Sequence, residues 1–316
     1  MKFDLTKGFQ PMGFLGPEAP PRPPVLPDYK SAEVVIVPFG YEGTVTFGHG
    51  SANGPQGLIE ASYQVESFDD ELLDDYYNQI KIWTTEQPDL PQDPMEACKV
   101  LENIVSEIIK EQKLPVVIGG EHTISYGFAS ALAKHYSDVS ILVFDSHMDL
   151  GDRSSGRDFS HAAWLKYSLN DLPSSMQTAT LVGIRNFNKL EWEYWKANSD
   201  RVTVFEAKEK KLWTVDAILN SIKNHDVYLS FDIDAFDSSV MPSTGTPEPG
   251  GLFWDDVLPI IRRVAQEKNI IGMDVVELAP IKGLQAPDFV AAKLLMKMLV
   301  YKFTAKHFLT KTGAEM

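Results

Sequence analysis

Carboxylates and imidazoles gather at three places in the chain: Gly119-Gly120-Glu121-His122, Asp145-Ser146-His147-Met148-Asp149 and Asp232-Ile233-Asp234. Each follows a run of β-forming residues, namely Val116-Val117-Ile118, Ile141-Leu142-Val143-Phe144 and Val227-Tyr228-Leu229-Ser230-Phe231. Such runs read as buried strands of a parallel sheet. Strands of this kind are adjacent in space, so side chains at their C-terminal ends converge on one crevice, the usual ligand position in an open α/β sheet. Two histidines and four aspartates crowded there would repel and desolvate one another unless cations held them together. A metal site resolves the conflict. Asp-x-His-x-Asp on its own reads equally well as a strand end followed by capping aspartates; three clusters, each after its own strand, favour the metal.

The donor types narrow the metal. Six mixed nitrogen and oxygen ligands without a thiolate suit borderline-to-hard divalent ions such as Mn²⁺ and disfavour a cysteine-rich structural zinc site. Six residues are also more than one ion takes while leaving room for substrate. If two of the aspartates bridge, they serve two ions roughly 3.5–4 Å apart.

Strands are expected near residues 33–37, 80–83, 115–118, 140–145, 179–183, 202–205, 227–231 and 270–275. Helical periodicity appears near 95–112, 124–135, 190–198, 214–223, 254–267 and 287–303. Strand and helix alternate throughout, which implies a three-layer α/β/α domain built on a mostly parallel sheet. A proline-rich arm at residues 1–32 precedes a single catalytic domain at 33–316, the arm being extended over the body or a neighbour, or a disordered tail.

With 316 residues, 44% hydrophobic and 23% charged, the chain has the composition of a soluble globular protein. A formal net charge of −15 argues against nucleic acid as partner and favours a cationic substrate. Cys98 is the only cysteine, so no intrachain disulfide can form. Neither a signal-type apolar run nor a membrane-spanning stretch occurs, and cytoplasmic residence is the expectation.

From about residue 33 to residue 303 the chain resembles the ureohydrolases, the arginase and agmatinase group, which share their fold with deacetylases. The most specific stretch is Ser230-Phe231-Asp232-Ile233-Asp234-Ala235-Phe236-Asp237, continued by Ser243-Thr244-Gly245-Thr246-Pro247-Glu248-Pro249-Gly250-Gly251. Pro38-Phe39-Gly40-Tyr41-Glu42-Gly43-Thr44-Val45 with Gly54-Pro55 looks like the first loop of that family. The resemblance implies two manganese ions per chain and hydrolysis of a guanidino group with release of urea. It assigns His122, Asp145, Asp149 and Asp232 to one ion and His147, Asp145, Asp232 and Asp234 to the other, Asp145 and Asp232 bridging. It also makes Asp149 the donor of a proton to the departing amine, His161 a proton shuttle and substrate contact at the mouth of the site, and Glu277 the partner of the guanidinium, with Thr246 lining the substrate. Carboxylate and guanidinium suit each other geometrically. Trimers or hexamers are implied as well.

Other polar residues read as structural. His49 belongs to a glycine loop, while His135, His225 and His307 sit among polar neighbours in helices and read as exposed. Asp237 and Asp274 read as braces for loops or for ligands. Trp164 is the one tryptophan near the clusters.

The substrate tail is read from Leu150 to Ser160, which lacks the Asn and Thr-Ser pattern of arginases and looks more like microbial agmatinases. Agmatine, yielding putrescine and urea, is therefore the expected substrate. Arginine, or a guanidino acid such as guanidinobutyrate gripped by Arg153 or Arg157, is the alternative, and a non-catalytic scaffold homologue is an alternative of another class. The sequence departs from the family pattern at Glu121, Ser146, Met148 and Ala162-Ala163-Trp164, none of which removes a ligand.

Overall fold

The computed structural model describes residues 3–8, 12–16, 27–75, 79–151 and 159–311. Eight strands form one sheet: β1 (Val34–Phe39), β2 (Ile82–Thr84), β3 (Leu114–Gly119), β4 (Val139–Phe144), β5 (Thr178–Ile184), β6 (Val202–Glu206), β7 (Asp226–Asp232) and β8 (Asn269–Val276). Their order is β2-β1-β3-β8-β7-β4-β5-β6, and every pairing is parallel. All eight strands expected from the sequence are present. One detail differs: β3 does not touch β7, because β8 lies between them.

The strands are apolar on both faces because both faces are covered. Val34, Ile36, Val116, Ile118, Leu142, Phe144, Leu229 and Phe231 enter one core, with side chains of α1 (Gly54–Ser62), α6 (Val215–Ser221), α7 (Trp254–Glu267) and α8 (Ala286–Lys311). The alternate positions Val35, Val37, Val117, Ile141, Val143 and Tyr228 enter the other, against α2 (Pro94–Lys110), α3 (Ser125–His135) and α4 (Trp164–Asp171). Period-two alternation thus splits each strand between two helical layers. The partly buried Tyr194 and Trp195 of α5 (Lys189–Ala197) pack on the second core.

The sequence pattern does not predict helices α1 and α4. Gly54, Pro55 and Gly57 open the first, a composition that reads as loop, and α4 follows a single 3-10 turn at His161–Ala163. Elsewhere the caps are explicit in the sequence. Asp93 accepts from Glu96 N at 2.9 Å with Pro94 at the first helical position, and Asn188 and Glu191 form a reciprocal capping box that starts α5.

The described residues of the N-terminal segment are pinned to the body. Phe14 and Leu15 are buried; their amides donate to Thr84 Oγ1 (3.0 Å) and Ser62 Oγ (2.8 Å), and Trp83 Nε1 donates to Leu5 O (3.0 Å). No described helix is long and apolar enough to cross a membrane.

Candidate metal centre and substrate cavity

Five neighbouring strands, in the order β3-β8-β7-β4-β5, end at one cavity of about 540 Å³. His122, His147, Asp149, His161, Asp232, Asp234, Thr246 and Glu277 all line it. Asp145 lies beneath, fully buried. The sequence-derived site residues therefore come together at the C-terminal edge of the sheet, with β8 delivering Glu277 between the strands that carry the other clusters.

Backbone amides set the carboxylates so that one oxygen is held and the other faces inward. Asp145 Oδ1 accepts from His147 N (2.6 Å), Asp232 Oδ1 from Asp234 N (2.8 Å) and Asp234 Oδ1 from Ser146 N (3.0 Å). The Oδ2 atoms then converge on the imidazoles, and the held Asp145 Oδ1 also lies near His147. His122 Nδ1 stands 3.2 Å from Asp145 Oδ2, 3.1 Å from Asp149 Oδ2 and 3.2 Å from Asp232 Oδ2. His147 Nδ1 stands 3.0 Å from Asp234 Oδ2 and 3.5 Å from Asp145 Oδ1. Two groups capable of holding a cation result, His122 with Asp145 and Asp232, and Asp145 with His147 and Asp234. Asp145 belongs to both, as a bridge must. Asp232, expected to bridge as well, belongs to the first group alone, and Asp149, expected beside it, reaches that group through its approach to His122.

The arrangement fits cations better than it fits itself. His122 Nδ1 and Asp145 Oδ2 are buried and lack a well-formed hydrogen bond, a costly state that a metal ion removes. Charge imbalance is visible in the acidities. Burial and the neighbouring Asp145 push the Asp149 pKa up to about 7, against the pull of His122 and His147. Burial, then Asp234 and Asp145, raise Asp232 well above the carboxylate range. Burial disfavours the charged imidazoles, yet the surrounding aspartates raise His122 well above its ordinary value and His147 to about 12. Burial acts to raise Asp234 too, but His147 overrides it and holds this carboxyl below the usual range. Protons are being held where a divalent ion would serve.

The orientation of His122 is fixed from behind. Its Nε2 lies 2.9 Å from Ser230 Oγ, and Ser230 donates to Asp274 Oδ1 at 2.8 Å. Asp274 also accepts from Ser125 Oγ (2.7 Å) and from the Tyr228 hydroxyl. With Nε2–H directed at Ser230, Nδ1 is left as the ligand atom. Asp274 is thus the expected brace. So is Asp237, which accepts from the amides of Ser239, Gly250 and Gly251 and holds the loop leading to Thr246.

Asp149 and Glu277 share an unusual backbone state, with φ of 51° and 65°. Left-handed backbone at non-glycine residues costs on the order of 1–3 kcal/mol and persists where the surroundings enforce it. For Asp149 the enforcing contact is Trp164 Nε1, which donates to Oδ2 at 2.9 Å, while the Trp164 ring packs against His122 with centroids 4.7 Å apart. For Glu277 two bonds hold the turn: its amide donates to Gly120 O and its Oε1 accepts from His122 N, both at 2.7 Å. Gly120 has to be glycine, since a Cβ there would lie 2.0 Å from Tyr41 O. Burial pushes the Glu277 pKa up to about 8.

His161 lines the cavity and is tied to the first loop. Its amide donates to Thr44 Oγ1 at 3.0 Å and its Nδ1 lies 3.0 Å from the same oxygen. The loop itself hangs on Glu121, fully buried, which accepts from Gly43 N (2.8 Å), Thr44 N (2.6 Å), Thr44 Oγ1 (2.7 Å) and Thr123 Oγ1 (2.6 Å).

Several lining residues are absent from the sequence-derived set. Asn186, Phe187, Asn188, Leu190 and Glu191 reach the cavity from the end of β5. A strand end followed by the Asn188–Glu191 capping box is the available signal. Phe47, 78% exposed, and the exposed Leu190 give the mouth an apolar rim. His49 bonds to Glu42 (2.9 Å) on the surface, and His135 and His225 are exposed, although His225 lies in the turn before β7 and not in a helix. Arg153 and Arg157 lie outside the described residues, as do His307's side chain and most of the proline-rich arm.

Residues 32–300 match the arginase family. The N(1)-aminopropylagmatine ureohydrolase of Synechocystis sp. is 33% identical over 305 residues, 92% of this chain and 94% of that protein. The agmatinase of Bacillus anthracis is 30% identical, with 87% of this chain and 93% of that protein covered. Among solved structures, agmatine ureohydrolase of Thermoplasma volcanium superposes with a TM-score of 0.79 at 26% identity, over 88% of this chain and 92% of that one. Fold and sequence agree: this chain belongs to the arginase family.

Proposed function

We propose that this protein is a dimanganese amidinohydrolase that releases urea from a cationic guanidino compound, with agmatine, converted to putrescine, as the substrate. One observation carries the reading: Asp145 serves two adjacent donor groups directly beside the buried carboxylate of Glu277. The six residues His122, Asp145, His147, Asp149, Asp232 and Asp234 would hold two divalent ions, and the ions when bound lower the pKa of water enough for attack near neutral pH. The remaining steps belong to the chain. Glu277 Oε1 is engaged with the His122 amide, so its Oε2 edge accepts N–H from the guanidinium and positions the central carbon. Water oxygen bonds to that carbon, Asp149 takes a proton from the attacking water and passes it to the alkyl-bearing nitrogen, and the bond from carbon to that nitrogen breaks so that it leaves as an amine. His161 exchanges the water's other proton with solvent.

Cytoplasmic residence and assembly into trimers or hexamers belong to the same reading. A longer cationic substrate such as N(1)-aminopropylagmatine is the second candidate, favoured by the Synechocystis relative and by the apolar rim of Phe47 and Leu190, against which extra methylenes would pack. The test is urea release with Mn²⁺ on agmatine, N(1)-aminopropylagmatine, arginine, guanidinobutyrate and guanidine. Agmatine is expected to give the highest kcat/KM. Preference for guanidinobutyrate would replace this reading with a carboxylate clamp at Arg153 or Arg157, and no urea from any of them would favour a non-catalytic scaffold.

A further inference from the structure

We infer that Trp164 is a positioning residue that divides the work of the two Asp149 oxygens: it pins Oδ2 toward the His122 donor group and leaves Oδ1 to handle the proton. The inference rests on the proposed proton-transfer role of Asp149 and deepens it. It follows from how the four aspartates are held. Asp145, Asp232 and Asp234 each have Oδ1 tied to a backbone amide, those of His147, Asp234 and Ser146, and each sends Oδ2 toward an imidazole. Asp149 reverses the pattern. Its Oδ2 both accepts from Trp164 Nε1 at 2.9 Å and faces His122 Nδ1 at 3.1 Å, while its Oδ1 has no hydrogen-bond partner among the described residues. The restrained oxygen and the one turned to the histidine are the same atom. The other is left to the cavity that Asp149 lines.

An indole N–H only donates, and Trp164 is fully buried, so its one polar hydrogen has a single fixed acceptor. His122 cannot hold Asp149 in the same way. Its Nδ1 stands 3.1–3.2 Å from the Oδ2 atoms of Asp145, Asp149 and Asp232 and carries at most one proton for the three. A cation bound among them displaces that proton, which leaves the Trp164 N–H as the hydrogen bond on the Asp149 carboxylate. The same indole packs on His122 with ring centroids 4.7 Å apart, so one rigid side chain sets both ligands. Without the N–H the carboxylate can turn about its soft terminal torsion and offer both oxygens to the cation. Oδ1 would then be withdrawn from the attacking water and the departing nitrogen.

The test is manganese titration of the full chain, together with urea release from its preferred guanidino substrate at saturating manganese. Trp164→Phe keeps an aromatic ring beside His122 and removes the N–H. One of the two ions should bind about ten- to a hundredfold more weakly, the usual effect of removing a group that orients a ligand, and the other should change by less than about twofold. At saturating manganese kcat should fall by about tenfold while KM changes by less than about twofold, because Glu277 still holds the guanidinium. In an Asp149→Ala background the same Trp164→Phe change should alter manganese affinity by less than about twofold, since nothing remains to be pinned. Equal weakening in both backgrounds would overturn the inference and confine Trp164 to packing on His122. Parent-like affinity and kcat in Trp164→Phe would overturn it as well. Full turnover in Asp149→Ala would instead remove the proton-transfer role of Asp149 itself. Thermal melts of all four proteins identify any variant that has lost its fold. In that case 3-benzothienylalanine at position 164, which keeps the indole shape with sulfur in place of N–H, replaces phenylalanine in the same measurements.

Discussion

Two groups of carboxylates in this molecule, each with a buried aspartate at its centre, are built on opposite terms. At the end of the sheet, Asp145, Asp149, Asp232 and Asp234 face one another with only imidazoles between them, and the nearby Arg185 donates its guanidinium hydrogens to the carbonyls of Gly183, Asp234, Ala235, Phe236 and Glu248. Beside α8, Asp69, Asp70 and Glu71 surround Lys297, whose Nζ lies 2.8, 2.8 and 3.4 Å from them with a side chain only 3% exposed. There the cation is covalently part of the chain. Burial opposes the lysine charge, but the bonds to Asp69 and Asp70 raise its pKa nonetheless. Acids that bring their own cation tie the 66–75 loop to a helix. Acids left short of one are where an external cation, and hence chemistry, belongs.

Removing a member of the open group should be decisive for function. Asp232→Ala is expected to lower activity by on the order of a thousandfold or more and to empty at least one manganese position, since the residue supplies an oxygen to the His122 group and its other oxygen holds the turn at Asp234. The variant should still fold, because deleting one carboxylate relieves repulsion among those that remain. Elemental analysis alongside urea release decides the matter: two ions per chain with full turnover would defeat the dinuclear reading.

The closed group should respond the other way. Lys297→Ala strands Asp69, which is fully buried, and should cost about 3–5 kcal/mol of folding stability, the usual result of deleting one side of a buried ion pair. Manganese content and kcat of the folded fraction should stay near those of the parent. Urea denaturation and metal analysis together expose the contrast. If Lys297→Ala lost metal as readily as Asp232→Ala, the two clusters would not be separable units.

The same contrast governs how much of the molecule is legible in its sequence. All eight strands and six of the eight helices are, because strands buried on both faces must be continuously apolar, and the helix starts at Asp93 and Asn188 carry explicit caps. The candidate metal ligands stand out because acids crowded at adjoining strand ends without a lysine or arginine among them need a cation from outside the chain. Asp69, Asp70 and Glu71 look like an ordinary acidic run, since their partner Lys297 is more than two hundred residues away. Helix α1 is hidden by its glycines, and α4 by the 3-10 turn at His161–Ala163. Glu121, taken alone, reads as a harmless exchange of one acid for another. Its extra methylene matters only once Gly43, Thr44 and Thr123 are seen around it. Asn188 and Glu191 are visible as a cap but not as cavity lining, because no sequence pattern states which way a capped helix start faces.

The gentlest way to sharpen the comparison is to vary pH. Four members of the open group, His122, His147, Asp149 and Asp232, have raised pKa values in the metal-free chain, to about 12 for His147 and about 7 for Asp149. A raised pKa means that the proton is still bound near neutrality, so a cation must displace it. Metal affinity should therefore increase with pH, by on the order of tenfold per pH unit for each proton displaced, across about pH 6 to 8. Asp234 contributes nothing to this slope, because its carboxyl is held below the usual range and is ionised throughout. The Lys297 group should be silent in the same window, as its lysine titrates above its already alkaline ordinary value and leaves stability from this pair unchanged until pH rises well past it. Manganese titrations at several pH values, with proton release recorded in weak buffer, measure the slope directly. Affinity independent of pH with no protons released would mean that the ligands are already bare anions, and that the open group balances its charge by some means other than the protons held on its two imidazoles and on Asp149 and Asp232.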